Sequence, residues 1–198
     1  MDPQLRLLME LVYEAIENAS IPAESLSGSN TSVFSGTFAR DYFDTTIADS
    51  ELLSSSFFMD NGASLTIDTG CSTSMAALHQ AVRNVQLRES DLSIVASASV
   101  LLNPDMFIVM SSQNVLSAEG RCFAWDERAT DYGRGEGVAA VILKLLDDAL
   151  RDGDHIHAVI RESGLNQDGK TTTISSPSME AQQKLIEKCY RHAGLRFG

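Results

Sequence analysis

The most constraining feature of the sequence is a run of six residues without a polar side chain, from Val138 to Leu143. Strands with one face in water alternate apolar and polar residues, whereas an unbroken apolar run predicts a strand buried on both faces. Such a strand requires other elements packed on both sides of its sheet. The chain is therefore expected to contain a sheet with helices on both faces.

Helix-like and strand-like segments alternate along the rest of the chain. Apolar residues spaced by three and four predict helices over 2–18, 72–87, 104–110, 147–151 and 178–193. Runs rich in β-branched residues predict strands over 31–38, 64–69, 92–96, 138–143 and 156–163, while 41–54 is ambiguous between helix and loop. This alternation predicts the α/β class, with a largely parallel or mixed sheet between helices.

Composition excludes several classes of partner. The 198 residues carry a formal net charge of −12, and no cluster of Lys or Arg suits a phosphate backbone, so we expect no nucleic-acid partner. Apolar runs fall short of the ~20 residues that span a bilayer, so we expect no membrane partner. The three cysteines lack the spacing of a zinc site or a disulfide framework. We therefore expect a cytoplasmic protein without a metal site.

Cys71 is the best candidate for chemistry. It follows a predicted strand and precedes a predicted helix, where unpaired N–H groups and the helix dipole favour a thiolate. The thiolate is the nucleophilic form of cysteine, and Gly70 before it allows a ligand to approach closely. The alternative is a small buried side chain at a strand–helix junction. Cys122 and Cys189 lack such a setting and are expected to be core thiols.

Residues 66–79 read T-I-D-T-G-C-S-T-S-M-A-A-L-H. This segment resembles the active-site segment of β-ketoacyl synthases, D-T-A-C-S-S-S followed by a helix. Further strings resemble ketosynthase domains of polyketide synthases, most of all the iterative fungal type: 1–4 with 11–19, 28–31, 101–107, 120–123, 132–137 and 164–169. The resemblance implies a thiolase-like layered fold, with the N-terminal half over about 1–150 and the start of the C-terminal half over about 151–198.

The resemblance also implies an activity and partners. In this family the cysteine accepts an acyl group, a malonyl thioester is decarboxylated, and its enolate attacks the acyl group in a Claisen condensation that releases the cysteine. By resemblance Cys71 is the nucleophile, and its backbone N–H forms half of an oxyanion hole. The phosphopantetheine arm is carried by a partner acyl carrier protein domain, so no cofactor is expected to be bound by this chain itself. A homodimer is expected for the full-length enzyme.

The family's catalytic histidines and lysine have no counterpart in this sequence. They lie in strings resembling H-G-T-G-T and K-S-N-I-G-H, and neither occurs here. None of the four histidines has such a context, and His79, two turns along the helix after Cys71, is expected to pack or face solvent. We therefore interpret the chain as a partial sequence that is inactive in condensation by itself.

A second departure from the family lies between Leu53 and Gly62, where an additional stretch is expected and an internal deletion is therefore predicted. This departure leaves an alternative open, a non-catalytic ketosynthase remnant that acts as a scaffold or dimerisation element. A cysteine hydrolase is a third possibility, but it would need a histidine placed to deprotonate Cys71, and the sequence designates none.

Overall fold

A computed structural model describes residues 2–37, 41–42, 62–173 and 176–196. The helices are α1 (Pro3–Asn18), α2 (Thr73–Gln86), α3 (Asp105–Ser112), α4 (Leu146–Asp152) and α5 (Met179–His192). The strands are β1 (Thr31–Thr37), β2 (Ser64–Ile67), β3 (Leu92–Ser99) and β4 (Gly137–Lys144), and Ala23–Leu26 and Gly70–Ser72 form 3-10 turns. All five predicted helices and four of the five predicted strands are confirmed.

The four strands form one mixed sheet in the order β2-β1-β3-β4. β1 runs parallel to both β2 and β3, and β4 runs antiparallel to β3. The mixed sheet expected from the sequence is therefore confirmed.

Helices cover the two faces of this sheet. Phe34 and Val95 pack with Ala77 of α2, whereas the adjacent Ile94 packs with Ile16 of α1. Consecutive strand residues point to opposite faces, so α1 and α2 lie on opposite sides of the sheet. The layered α/β architecture predicted from the sequence is confirmed.

Two expectations about strands are wrong. None of the eight residues of β4 is buried, and Val141 is 44% exposed. β4 contacts both helices, α1 through Ile142 and α2 through Leu143, but it is the last strand of the described sheet, so one of its edges stays open. Residues 156–163 form no strand, because no described strand pairs with them. Of the ambiguous interval 41–54, only residues 41 and 42 are described, and they are helical.

A buried polar cluster joins β1, α2 and β3 at the C-terminal end of α2. We call it the serine cluster; its members are Ser32, Asn84, Ser90 and Ser93. The Ser32 hydroxyl lies 2.6 Å from that of Ser93, 2.9 Å from that of Ser90 and 3.1 Å from Asn84 Oδ1. Ser90 also donates to Asn84 Oδ1. Because these groups satisfy one another, they can be buried without the usual desolvation cost.

The helices of the described residues are too short or too polar to cross a membrane.

Candidate active site

Cys71 lies in a short turn between β2 and α2. β2 ends at Ile67, residues Gly70–Ser72 form a 3-10 turn, and α2 begins at Thr73. We call residues 68–73 the cysteine turn. The predicted strand, tight turn and helix are confirmed, and the 3-10 turn places Cys71 just before the α-helix, as predicted.

The thiol of Cys71 is exposed, so the buried-residue interpretation is wrong. Within the described residues no hydrogen bond involves its sulfur. Gly70, the residue before it, has a φ of +68°, a conformation that suits glycine. The 14-residue α2 directs its N-terminal end toward the turn, and the first N–H groups of a helix lack partners inside the helix. The turn therefore places the Cys71 thiol at the positive end of a helix dipole.

Side chains hold the cysteine turn in place. The Thr73 hydroxyl accepts a hydrogen bond from the Thr69 N–H at 2.9 Å and donates one to the Gly70 carbonyl at 2.5 Å. Asp68 Oδ1 accepts from the Gly70 N–H at 3.0 Å, and the Ser72 hydroxyl donates to the Thr69 carbonyl at 3.1 Å. Sequence reasoning missed Thr73. The available signal was a hydroxyl residue in the first turn of the predicted helix, where side chains can bond to free backbone groups.

β1 approaches the start of α2 closely at Gly36. A Cβ added to Gly36 would lie 2.7 Å from Thr73 Cγ2 and 2.7 Å from Ser97 Oγ. Only glycine leaves room for this contact. The turn is therefore packed directly against the sheet.

The histidines are engaged elsewhere. His79 Nδ1 lies 2.8 Å from Ser163 Oγ, and partial burial, together with the nearby Arg83, lowers the pKa of His79. His79 follows Cys71 by eight residues, most of them in α2, which corresponds to about 12 Å along the helix. His157 Nε2 lies 2.6 Å from Asn18 Oδ1, and the His155 ring packs edge-on against it. The packing role predicted for His79 fits these contacts.

The segment after β4 returns to α2 through an ion pair. Arg83 donates to Glu162 at 2.5 Å and to the Ser163 carbonyl at 3.2 Å. A hydrogen bond from the Ser163 N–H, together with the Arg83 charge, lowers the pKa of Glu162. His192 Nδ1 of α5 lies 3.6 Å from the same carboxylate. These contacts attach residues 162–163 and α5 to the middle of α2.

The other features that we considered, a cavity, possible metal ligands and the other two cysteines, provide no second candidate site among the described residues. A cavity of about 770 Å³ lies between α1, β4 and residues 154–160, so Cys71 does not line it. No group of three His, Cys, Asp or Glu side chains suited to a metal occurs in the described ranges. Cys122 is exposed and accepts a hydrogen bond from the Gly133 N–H at 3.2 Å, so the core role expected for it is wrong; Cys189 is half-buried.

The mixed sheet between two helices, with an exposed cysteine where a strand leads into a helix, is the arrangement expected of the N-terminal half of a thiolase-like fold. The family model described as "Beta-ketoacyl synthase, N-terminal domain" matches residues 1–149, and "Beta-ketoacyl synthase, C-terminal domain" matches residues 157–198. The chain belongs to the β-ketoacyl synthase family.

Relatives include fungal polyketide synthases. The chain is 57% identical to the highly reducing polyketide synthase pks5 of Leptosphaeria maculans and 52% identical to sorA of Penicillium rubens. It is 50% identical to the squalestatin tetraketide synthase of a Phoma species. Each match covers 98% of this chain and 8% of the relative, so the chain spans a small part of their length.

Solved ketosynthase structures share the fold. The ketosynthase from module 6 of the bacillaene synthase of Bacillus subtilis is 34% identical, with a TM-score of 0.88. An oxazolomycin ketosynthase domain from Streptomyces albus is 30% identical, with a TM-score of 0.89. Both matches cover 98% of this chain and 36% of the solved chain.

Proposed function

We propose that this chain is part of the ketosynthase domain of a fungal polyketide synthase of the highly reducing type. The domain transfers an acyl group to itself and extends it by decarboxylative Claisen condensation with a malonyl thioester. Family membership supports the reaction class, and the names of the relatives support the type of synthase. The N-terminal half of the domain ends near residue 150, and the C-terminal half begins soon after.

One observation carries this proposal: the thiol of Cys71 is exposed at the N-terminal end of α2, within the segment that resembles the family's active site. The Cys71 thiolate attacks the carbonyl carbon of an acyl thioester, and the phosphopantetheine arm of the carrier leaves as a thiolate. A thioester on Cys71 results. The backbone N–H of Cys71 donates to the oxyanion of the tetrahedral intermediate, as half of an oxyanion hole.

The second step needs groups that this chain does not supply. Decarboxylation of the malonyl thioester releases CO₂ and produces an enolate, which attacks the acyl carbonyl and expels the Cys71 thiolate. A hydrogen-bond donor has to stabilise the enolate as it forms. The described contacts engage His79 with Ser163 and His157 with Asn18. We therefore propose that the chain alone takes up an acyl group at most and does not extend it.

Partners follow from the same reaction. The acyl and malonyl groups arrive as thioesters on an acyl carrier protein domain, which carries the phosphopantetheine arm. We also propose a homodimer. β2 is an outer strand of the described sheet, three of its four residues are exposed, and Leu65 is 50% exposed. An exposed strand edge can pair with a second copy. A cytoplasmic location is in keeping with three free cysteines.

Acylation of Cys71 tests the function directly. The full-length protein is incubated with an acyl N-acetylcysteamine thioester, digested and examined by mass spectrometry. We expect the acyl mass on the Cys71 peptide and none on the peptide of Cys122, the other exposed thiol. An unmodified Cys71 peptide would refute the nucleophile assignment.

The second candidate function is a non-catalytic remnant, and the length of the matches favours it. Several relatives align over 211 positions although this chain has 198 residues, so they carry at least 13 additional residues within the matched region. We place this difference between residues 53 and 62, where the sequence predicts a deletion. Genomic sequencing across this position separates the two candidates. A reading frame that restores the stretch supports the enzyme, and an uninterrupted coding sequence without it supports the remnant.

A further inference from the structure

We propose that Thr73 is a positioning residue for Cys71, an inference that rests on the function proposed for that cysteine. Its hydroxyl bridges the turn, with the Thr69 N–H as donor on one side and the Gly70 carbonyl as acceptor on the other. Both partners precede Cys71, and Thr73 follows it by two residues. One hydroxyl thus closes the loop of backbone that contains the nucleophile.

Burial distinguishes Thr73 from the other hydroxyl groups of the cysteine turn. Thr73 is 5% exposed, whereas Thr69 and Ser72 are exposed. Both hydrogen bonds of the Thr73 hydroxyl are partly buried, whereas the bond from Ser72 to the Thr69 carbonyl is exposed. Water can replace an exposed hydroxyl at little cost but a buried one less readily, so the loss of Thr73 should disturb the turn more than the loss of Ser72.

The methyl group of Thr73 packs against the sheet. It occupies the space left by the missing side chain of Gly36, since a Cβ there would lie 2.7 Å from Thr73 Cγ2. Gly36 pairs with both Ile67 of β2 and Ser97 of β3. Thr73 consequently links the backbone around Cys71 to the interior of the sheet.

The bridge made by the Thr73 hydroxyl matters for acyl transfer because the thiol and the Cys71 N–H act on the same carbonyl group. Their relative placement determines whether the oxyanion forms within reach of its donor, and displacements of about 1 Å can cost up to ~100-fold in rate. Thr73 contacts no reacting atom in this scheme. It acts through the backbone of Gly70 and Cys71.

Two substitutions isolate the hydroxyl group. Thr73→Ser keeps the hydroxyl and removes the methyl group, whereas Thr73→Ala removes both. Thr31 provides matched controls, because it is also buried, at 2% exposure, and its hydroxyl lies 2.6 Å from Ser29 Oγ at the start of β1. Acylation of Cys71 in the full-length protein by an acyl N-acetylcysteamine thioester is followed in single turnovers. The maximal rate constant and the half-saturating concentration are determined for each variant.

We expect Thr73→Ala to lower the maximal rate constant about tenfold with an unchanged half-saturating concentration, and Thr73→Ser to stay within about threefold of the wild type. The control variants Thr31→Ala and Thr31→Ser should not differ from each other in the maximal rate constant. The final extent of acylation counts the folded molecules, so partial unfolding does not alter the rate constant. If Thr73→Ala does not fold, Gly36→Ala displaces Thr73 instead and should slow acylation, whereas Gly135→Ala, with open space around it, should not.

Equal rates for Thr73→Ala and the wild type would overturn the positioning role while leaving Cys71 as the nucleophile. A Thr73→Ser variant as slow as Thr73→Ala would overturn it as well. So would the same difference in rate between Thr31→Ala and Thr31→Ser. If Thr73→Ala does not fold and Gly36→Ala is used in its place, an unchanged rate of acylation in Gly36→Ala would overturn the positioning role. Absence of acylation in the wild type would instead remove the proposed function, and the positioning role with it.

Discussion

The two ends of α2 carry hydroxyl-rich groups that differ in their access to solvent. At the N-terminal end the cysteine turn is mostly exposed, and the Cys71 thiol makes no hydrogen bond within the described residues. At the C-terminal end the serine cluster is buried, and its members bond to one another. Similar side chains therefore perform different tasks. A closed network fixes β1 and β3 to α2, and an open turn on the same helix leaves the Cys71 thiol accessible to solvent.

The largest expected effect tests the N-terminal end of α2, which carries the exposed cysteine turn and which we call the open end. Cys71→Ala should abolish acylation, a loss of more than about a thousandfold, because no other described group replaces the nucleophile. Its effect on the free energy of unfolding should stay within about 0.5 kcal/mol, since the side chain is exposed. Mass spectrometry measures the acylation, and hydrogen exchange of the β1 and β3 amides measures the stability.

Cys122→Ala is the matched control, because Cys122 is also an exposed thiol. It should leave the acylation of Cys71 intact. Acylation that survives in Cys71→Ala, or a large loss of protection in β1, would contradict the view that this end of the helix serves reactivity and not stability.

The C-terminal end of α2 carries the buried serine cluster, and we call it the closed end. A substitution there should lower stability and leave the acylation rate unchanged. Asn84→Ala removes the oxygen that accepts from Ser32 and Ser90, and it removes the donor to Glu89 Oε2 at 2.8 Å. Unsatisfied buried hydroxyl groups should lower the local stability of β1 and β3 by about 2 kcal/mol. Hydrogen exchange of these strands measures the loss. The rate of Cys71 acylation should not change, since thirteen residues of helix, about 20 Å, separate the two sites.

Asn30→Ala provides the comparison for that variant. Asn30 is exposed and donates to the Glu89 carbonyl at 3.1 Å, so its removal should cost less than about 1 kcal/mol. Equal losses of local stability in Asn84→Ala and Asn30→Ala would show that burial does not increase the contribution of the serine cluster to stability. Slower acylation in Asn84→Ala would show that the two ends of α2 are coupled.

The open end of α2 was predictable from the sequence, and the closed end was not. β-branched residues in 64–69 and apolar spacing after residue 72 predict the strand, the turn and the helix because each signal is local. The serine cluster joins residues 52, 58 and 61 positions apart, and isolated serines give no signal for such pairing. The two wrong predictions about strands have the same physical origin. Whether 156–163 forms a strand, and whether β4 is covered, depends on neighbours that the local pattern does not specify.

Between the two ends, the contact of α2 with residues 162–163 should be sensitive to pH, which is the smallest effect we predict. Partial burial and Arg83 lower the pKa of His79 below its ordinary value of 6.5. The unfolded chain therefore binds a proton more readily than the folded one below pH 6.5, so stability falls as the pH falls through this range. The depressed pKa of Glu162 acts in the same direction, but only at more acidic pH. Above pH 6.5 the contact should have its full strength.

Hydrogen exchange of residues 157–166 at pH 7.5 and pH 5.5, corrected for the intrinsic exchange rates, measures this dependence. Local stability should be lower at pH 5.5 in the wild type, and His79→Gln should remove the difference. His192→Gln is the control, because His192 is half exposed and lies 3.6 Å from the same Glu162 carboxylate. If the His192 variant removes the pH dependence and the His79 variant keeps it, the assignment of the effect to His79 is wrong.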